Sequence, residues 1–461
     1  MPDTHVAILA AGKGTRMRSA RPKVLHEIAG VSLIEHVLRI ADTLAPATTV
    51  IVVGHGADQV EMALKKRPGL RFALQEPQLG TGHALLQAET ALQNRSGTLV
   101  LLSGDVPLLR PVTLERMVQH HHDRGAAATV LTALVDEPAG YGRVVRTGGA
   151  ISSIVEDRDA TEEQRRISEI NSGIYAFDLA PLFASIRQIG SGNAQNEYYL
   201  PDLVRMYRER GFRVETVVLD DATEILGVNS RQELADLTAI MRTRRTGELM
   251  AAGVTVIDPA TTWIGPDVSV GPDTVIHPGV HLEGRTTVGS NVVIQSNVRI
   301  VDSEVADGVR INSFCLIVES RIGPAASVGP FAHLRPQSSV GQDAHVGNFV
   351  ELKKTSMGRG SKANHLAYLG DATIGERVNV GAGTITCNYD GTTKHPTIIE
   401  DGAFIGSDSQ LIAPVRVGKD AYVAAGSSIS EDVPPDSLAI ARSRQLNKPG
   451  WVAKRRKKTG D

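Results

Sequence analysis

Counting in steps of six from Ile264 lands on Val270, Ile276, Leu282, Val288, Ile294 and Ile300, and every step is Val, Ile or Leu. The pattern returns at Val328, Leu334, Val340, Val346 and Leu352, and again at Ile405, Leu411, Val417, Val423 and Ile429. A small residue often follows the aliphatic one, and then a turn-forming pair, as in Ile264-Gly265-Pro266-Asp267. A helix repeats every 3.6 residues and a half-buried strand every two, so this period belongs to neither. It is the repeat of a parallel β-helix, in which a short strand and a tight turn place one aliphatic side chain inside per face. Three hexapeptides close one triangular coil, and coils stack about 4.8 Å apart.

The chain has 461 residues, too many for one core, so two or three domains are expected. A net charge of −2 gives no general attraction to nucleic acid or to a membrane surface. Aromatic residues are only 4%, which suits a narrow prism filled with Val, Ile and Ala. Cys315 and Cys387 are the only cysteines and lie too far apart for a CxxC site, so neither a zinc centre nor a disulfide framework is expected. No apolar run reaches membrane-spanning length. His5 to Ala11 reads as a strand entering a glycine loop rather than as a signal peptide, and a reducing cytoplasm is the expected compartment.

Residues 1–229 read as α/β. Strand-like runs (Val6–Ala10, Val50–Val53, Leu99–Leu102, Ala128–Val135) alternate with helical patterns such as Ile34–Leu44 and His83–Leu92. Ser230 and Glu233 have capping-box spacing, Leu234, Leu237, Ile240 and Met241 recur at helical spacing, and Gly253 follows, so 230–253 reads as a linker helix. The β-helix is expected over 254–437 and a tail over 438–461, with Lys454-Arg455-Arg456-Lys457-Lys458 as a solvated basic run. The hexapeptide register slips between Leu352 and Ile374 and again between Val380 and Ile399. Both slips are expected to be insertions that bulge outward, with His365 in the first. His120-His121-His122 is expected to be a solvated helix end rather than a metal site.

Leu9-Ala10-Ala11-Gly12-Lys13-Gly14-Thr15-Arg16-Met17 follows a strand and precedes Pro22-Lys23. Glycines let the backbone approach phosphate closely, and successive N–H groups form an anion-binding nest. Met17 stands where the dinucleotide fingerprint requires its third glycine, and P-loop spacing is absent. Arg16 and Lys23 add the cations a triphosphate needs. This stretch resembles the signature of the sugar-1-phosphate nucleotidylyltransferases. Gln75-Glu76-Pro77-Gln78-Leu79-Gly80-Thr81-Gly82-His83-Ala84 resembles their uracil-recognition segment, and Ser103-Gly104-Asp105-Val106-Pro107-Leu108 their metal-binding strand end. Gly140-Tyr141-Gly142-Arg143, Ile154-Val155-Glu156 and Glu169-Ile170-Asn171-Ser172-Gly173 resemble their sugar pocket.

The resemblance implies a Rossmann-like domain whose site is lined by Leu9, Ala10, Ala11, Gly12 and Gly14, by Gln75, Gly80 and Thr81, and by Ser103 and Gly104. Lys23 and Arg16 would stabilise phosphate charge, because phosphoryl transfer needs positioning and neutralisation more than covalent chemistry. Mg²⁺, which prefers oxygen ligands, would sit on Asp105 and, by resemblance, Asn229. Gly140, Glu156 and Asn171 would take the sugar.

The C-terminal half resembles the acetyltransferase part of the bifunctional N-acetylglucosamine-1-phosphate uridylyltransferase/glucosamine-1-phosphate N-acetyltransferases. The resemblance rests on Phe331-Ala332-His333-Leu334-Arg335-Pro336, Gly347-Asn348-Phe349-Val350-Glu351-Leu352-Lys353-Lys354, Lys362 to Asp371 and Asn379 to Gly391, and it extends over essentially the whole chain. It implies a left-handed β-helix, a homotrimer with acetyl sites between neighbouring β-helices, and acetyl-CoA and UTP as co-substrates. It also implies a product that feeds bacterial envelope synthesis. Only a neutral amine attacks a thioester, so a base must take a proton from the ammonium, and histidine suits that task near neutrality. The resemblance assigns it to His365. Arg335, Lys353 and Tyr368 would hold the sugar phosphate, and Asn379, Asn388 and Tyr389 the sugar. Ala382, Ser407, Ala425 and Arg442 would accommodate coenzyme A. Cys387 reads as a site wall. Two plainer readings are a nucleotidylyltransferase whose β-helix only oligomerises, and a non-catalytic trimeric scaffold. The insertions with His365 and with Asn388-Tyr389 speak against the first, because a passive solenoid needs no such loops, and Lys23 with Asp105 speaks against the second.

Overall fold

The computed structural model describes residues 3–459, which form two compact units that divide between Met241 and Arg242. In the first, the strands run across the main sheet in the order Val214–Val218, Ala128–Leu134, Glu169–Asp178, Thr98–Ser103, Thr4–Ala10, Thr48–Val53, Leu70–Leu74. Thr4–Ala10 lies parallel to both neighbours, and only Glu169–Asp178 runs against the strands beside it. Every residue of Thr48–Val53 is buried, as expected of a parallel strand covered on both faces. Helix Leu33–Asp42 begins at Ser32, whose hydroxyl accepts the Glu35 N–H (3.4 Å), and it buries Ile34, Val37 and Leu38. The expected single helix His83–Leu92 is two, Thr81–Gln87 and Glu89–Leu92, meeting at Ala88. The pairing of Leu9 with Ser103 brings the glycine loop and Asp105 out side by side at the carboxyl edge, where open α/β sheets place ligands.

Helix Arg231–Ala251 follows. The capping box is real: Ser230 Oγ accepts the Glu233 N–H (3.2 Å) and a Glu233 carboxylate oxygen accepts the Ser230 N–H (2.9 Å). Leu237 on this helix is buried with Met17, Ile28, Leu33 and Val228 of the first unit, and Leu249 with Val254 and Val256 of the second.

From Thr255 the second unit is a solenoid in which every third strand pairs in parallel. Among the described residues these strands make three sheets of eleven, ten and nine, here called faces one, two and three. Val275 pairs with Val293 and Ile276 with Ile294, so one coil is 18 residues. The inward column is the aliphatic series: Ile276, Leu282, Ile294, Ile300, Ile311, Val346, Leu352 and Leu411 are fully buried.

The first register slip is not an insertion. Val288 pairs with Val305, and Val340 with Met357, each 17 positions later, so these coils lose a residue. The loss falls at the corner between faces two and three, where Asp302, Glu319, Lys354 and Asp371 turn with positive φ (46°, 43°, 49° and 49°). His365 therefore lies in the regular strand Lys362–His365, paired with Asn348, and not in a loop. The second slip is an insertion: Ile374 pairs with Ile399, 25 positions later, and the excess forms a small hairpin after Cys387 at that same corner. The coil also continues beyond Pro435, because Leu438–Ala439 pairs with Tyr422–Val423.

His121 is buried, against the expected solvated helix end. Its Nδ1 lies 3.0 Å from Thr129 Oγ1, and His122 Nε2 lies 2.9 Å from Thr98 Oγ1. No metal-holding cluster of three or more His, Cys, Asp or Glu exists among the described residues, and both cysteines are unpaired.

Candidate active sites

A cleft of about 420 Å³ opens at the carboxyl edge of the first sheet. Leu9, Ala10, Ala11 and Gly12 form one wall, Gln75, Gly80 and Thr81 another, and Ser103, Asp105 and Lys23 the floor. Gly14 is left-handed (φ 57°), and a Cβ there would press on Lys23 Cβ at 2.9 Å, so the glycine lets the lysine backbone come close. Lys23 Nζ donates to Asp105 Oδ2 and, at 3.1 Å, to Asn229 Oδ1. Ser103 Oγ donates to the other Asp105 oxygen at 2.5 Å. Lys23 and Asp105 expose only 15% and 14% of their side chains, so this ion pair is far less screened than a surface pair. The buried Gln75 amide is pinned by the Gly80 carbonyl (3.0 Å) and His83 Nδ1 (3.2 Å). Gly104 packs on Leu9, whose carbonyl accepts its N–H at 2.9 Å. Arg16 stands exposed on the turn Thr15–Met17, and Lys13 rather than Arg16 lines the cleft.

A second pocket of about 220 Å³ shares Leu9 and Thr81 with the first and is walled by Gly140, Tyr141, Gly142, Glu156 and Asn171. Burial pushes the Glu156 carboxyl above the usual carboxylate range, and Asp159 and Asp202 add to the effect.

On the solenoid, His365 sits at the corner between faces one and two. Its Nδ1 lies 2.6 Å from Asn348 Oδ1 on the preceding coil. On the coils that follow, Ala382, Ser407 and Ala425 occupy the same column, each two residues after the inward aliphatics Val380, Ile405 and Val423, which are themselves in register. Backbone bonds tie the column together: Leu366 N–H to Asn348 O (3.0 Å), Gly383 N–H to Leu366 O (3.0 Å), Asp408 N–H to Ala382 O (2.7 Å) and Gly426 N–H to Ser407 O (2.8 Å). Arg442 lies against Gly426. A strip of small side chains thus runs from the imidazole to a guanidinium, over coils about 4.8 Å apart.

The corner between faces two and three holds the other group. Arg335 bonds Glu351 (2.9 Å), Lys353 Nζ lies 3.4 Å from Asp371 Oδ2, and Asn388 Nδ2 donates to the same oxygen at 2.5 Å. Lys394, from the inserted hairpin, is a charged neighbour of Lys353. Lys353 holds Lys394 below the usual lysine range, with Arg335 contributing more weakly. Tyr368 and Asn388 approach each other over Gly370, where any Cβ would meet Tyr368 Oη at 2.5 Å and Asn388 Nδ2 at 2.8 Å. Asn379 lies apart, on the outer side of face one beside Lys362 and Phe404. Tyr389 is exposed and its hydroxyl bonds the Gly391 carbonyl (2.5 Å).

Residues 6–169 match the MobA-like NTP transferase domain, residues 264–348 the GMPPB C-terminal domain, and residues 396–431 the hexapeptide repeat of succinyl-transferase. The chain is 52% identical to the bifunctional protein GlmU of Trichlorobacter lovleyi over 97% of this chain and 98% of that one. It is 49% identical to that of Koribacter versatilis over 98% and 97%. The chain belongs to the bifunctional GlmU family. As a GlmU protein it is an enzyme with two activities and a left-handed β-helix. It acetylates glucosamine-1-phosphate from acetyl-CoA, and it transfers UMP from UTP to N-acetylglucosamine-1-phosphate, releasing pyrophosphate. A solved glucose-1-phosphate thymidylyltransferase of Bacillus anthracis, described as putative, superposes with a TM-score of 0.44 at 20% identity, over 51% of this chain and 94% of that one, a likeness too slight to add to the assignment.

Set against the GlmU motifs, the geometry adds four residues that sequence reasoning missed: Asn348 beneath His365, Asp371 and Lys394 beside Lys353, and Lys13 in the nucleotide cleft. Asn348, Asp371 and Lys13 lie inside the motifs already singled out. Lys394 stands in the inserted hairpin, where the only signal was the register slip itself.

Proposed function

We propose that the two activities run on separate residue sets, one around Lys23, Asp105 and Asn229 and the other around His365. In the first, a phosphate oxygen of N-acetylglucosamine-1-phosphate attacks the α-phosphorus of UTP and pyrophosphate leaves. Gln75 and Gly80 read the uracil edge, Gly140, Glu156 and Asn171 hold the sugar, and Lys23 and Arg16 neutralise phosphate charge. The residues fit Mg²⁺: the Lys23 ammonium already touches both Asp105 and Asn229, so a single cation can engage the two oxygens at once. With only two protein oxygens, the ion would complete its shell from water and substrate phosphate, as Mg²⁺ commonly does. When bound it supplies charge neutralisation on the leaving phosphates. Lys23 is then released from Asp105 to the substrate.

In the second site the hydrogen bond to Asn348 decides the tautomer. The carbonyl oxygen of Asn348 accepts, so His365 Nδ1 carries the proton and Nε2 keeps its lone pair. Nε2 takes a proton from the substrate ammonium, the neutral amine attacks the thioester carbonyl, and the thiolate leaves and regains a proton. Arg335, Lys353 and Tyr368 bind the sugar phosphate, with Lys394 and Asp371 beside them. Asn388 and Asn379 contact sugar hydroxyls, and Tyr389 orients the amine. The strip Ala382–Ser407–Ala425 leaves room for pantetheine against backbone, and Arg442 meets a coenzyme A phosphate. Cys387 walls the site and takes no covalent part. The single observation that carries this reading is that His365 heads the column of small residues.

Asn379 and Lys353 lie on different sides of the prism, which favours an acetyl site completed by a neighbouring copy, and hence a homotrimer. Its co-substrates, UTP and acetyl-CoA, are metabolites of the cytoplasm, the compartment we propose for the enzyme; no described helix is long and apolar enough to cross a membrane. The test is His365→Ala in the full chain: thiol release from acetyl-CoA should be lost and pyrophosphate release kept. Retention of more than a tenth of the acetyl-transfer rate removes His365 from the role. Co-expressed Lys353→Ala and Asn379→Ala chains should regain acetylation if sites are shared, and stay inactive if each chain works alone.

A further inference from the structure

The strand Glu169–Asp178 breaks register with Ala128–Leu134 between Asn171 and Tyr175, and Gly173 within the break is left-handed (φ 76°). Such a bulge re-aims a side chain. Here it turns Asn171 into the sugar pocket and folds its amide back on its own strand. The Gly173 N–H reaches Asn171 Oδ1 at 3.1 Å, and Tyr175 Oη reaches the same oxygen at 2.9 Å. A backbone N–H can only donate, so the atom it meets is the carbonyl oxygen, and Tyr175 donates as well. With Oδ1 held by two donors, Nδ2 is the side of the amide left for a ligand, and no partner among the described residues takes it.

Tyr175 is built to stay where it is. It is 2% exposed, its ring stacks on Phe177 (centroids 5.2 Å apart, 14° between planes), and it lines the sugar pocket beside Asn171. Burial, and then the Glu156 charge, push its phenol above the ordinary tyrosine range, so it keeps its proton and remains a donor. Glu156, the facing acidic group in that pocket, offers the opposite polarity. The two flank Gly142, where a Cβ would meet Glu156 Oε1 at 3.4 Å and Asn171 Cβ at 3.5 Å.

We infer that Tyr175 is a positioning residue for sugar selection: by holding the Asn171 carbonyl it fixes that amide as a hydrogen-bond donor toward the substrate, opposite the Glu156 acceptor. A donor and an acceptor across one glycine match a secondary amide, which presents a carbonyl and an N–H together. An ammonium in the same place has donors only and leaves the Asn171 amide unpaired. The arrangement therefore selects the acetamido sugar phosphate over the amino sugar phosphate. It rests on the reading that Asn171 binds the sugar.

The experiment compares Tyr175→Phe, Asn171→Ala and the double variant in the full chain, measuring uridylyl transfer to N-acetylglucosamine-1-phosphate and to glucosamine-1-phosphate at saturating UTP. The loss of one such bond should raise KM for the acetylated sugar about tenfold in Tyr175→Phe, with the loss on KM rather than kcat, and lower the preference over the amino sugar by a similar factor. On the Asn171→Ala background the same change should do nothing further, because coupling through Asn171 is gone. An additive loss in the double variant, or an unchanged preference in Tyr175→Phe, overturns the inference. If Asn171→Ala itself leaves the sugar KM unmoved, the underlying reading of the sugar pocket fails instead. An unshifted melting transition and an unchanged KM for UTP report that the α/β unit of each variant has folded.

Discussion

Replacing Lys23 by alanine removes one ammonium from a pair that is about 85% shielded from solvent on each side. In the proposed mechanism that ammonium neutralises developing phosphate charge. Deleting a single preorganised donor of this kind costs about 10²–10³ in rate, or about 2.7–4 kcal/mol. Uridylyl transfer by Lys23→Ala should fall by that factor, followed as pyrophosphate release. Thiol release from acetyl-CoA, measured on the same preparation, should stay within twofold, since the partners of Lys23, Asp105 and Asn229, belong to the α/β unit. The substitution also leaves Asp105 and Asn229 without their resident cation. Binding of Mn²⁺ in the absence of nucleotide, followed by the ion's paramagnetic signal, should therefore tighten even as turnover drops. A uridylyl rate within threefold of the unaltered enzyme would refute the role of Lys23. Unchanged or weaker Mn²⁺ binding would refute the claim that the ammonium stands where the metal goes.

Other consequences follow from the same geometry. A Cβ on Gly347 would collide with the Asn364 carbonyl of the next coil, so Gly347→Ala should destabilise the β-helix by about 1–3 kcal/mol, seen as a lower melting transition with acetylation impaired and uridylyl transfer intact; an unshifted transition would show that the coils can separate there. Arg442→Ala should raise KM for acetyl-CoA severalfold with the KM for glucosamine-1-phosphate unchanged, and equal effects on both would take Arg442 away from coenzyme A. Burial, with His122 and His120 nearby, lowers the His121 imidazole to about 4. The unfolded chain protonates that group near 6.5, so it binds more protons than the folded one between the two values, and stability contributed by neutral His121 is present above about 6.5 and lost as pH falls toward 4. Urea midpoints for the α/β unit should drop across that window by up to about 3 kcal/mol of stability, and His121→Gln should flatten the decline; a decline of unchanged steepness in that variant would assign it to other groups.

Some of this was legible in the chain and some was not, for physical reasons. A six-residue aliphatic period allows one stacking, so Ile264 through Ile429 announced the prism, its inward column and its three faces. The loop from Leu9 to Met17 likewise announced a phosphate cleft, because glycines and cations in that order have few other uses after a strand. The sign of a register slip was not legible. A lost residue and a gained one break the count in the same way, and only the pairing of Val340 with Met357 shows that the corner before His365 is shortened. Partners contributed by adjacent coils were hidden for a related reason. Asn348 and His365 are 17 positions apart, and their contact depends on both lying in one column after the slip. Tyr175 was hidden because an aromatic in a buried strand is the most ordinary of residues. Its role comes from a bulge that no local pattern in Glu169–Asp178 discloses. His121 was misjudged because its polar neighbours mask a helix face that packs on Thr129.

Above all, the β-helix is an acetyl-transfer site for a sugar phosphate and not a passive prism. Thiol release from acetyl-CoA, measured without UTP and with either glucosamine-1-phosphate or glucosamine as acceptor, tests that most directly. Rapid release with the phosphorylated sugar and little with the free sugar is the predicted result, because Arg335, Lys353 and Lys394 converge where a phosphate would bind. No release from folded protein, or release indifferent to the phosphate, would contradict it.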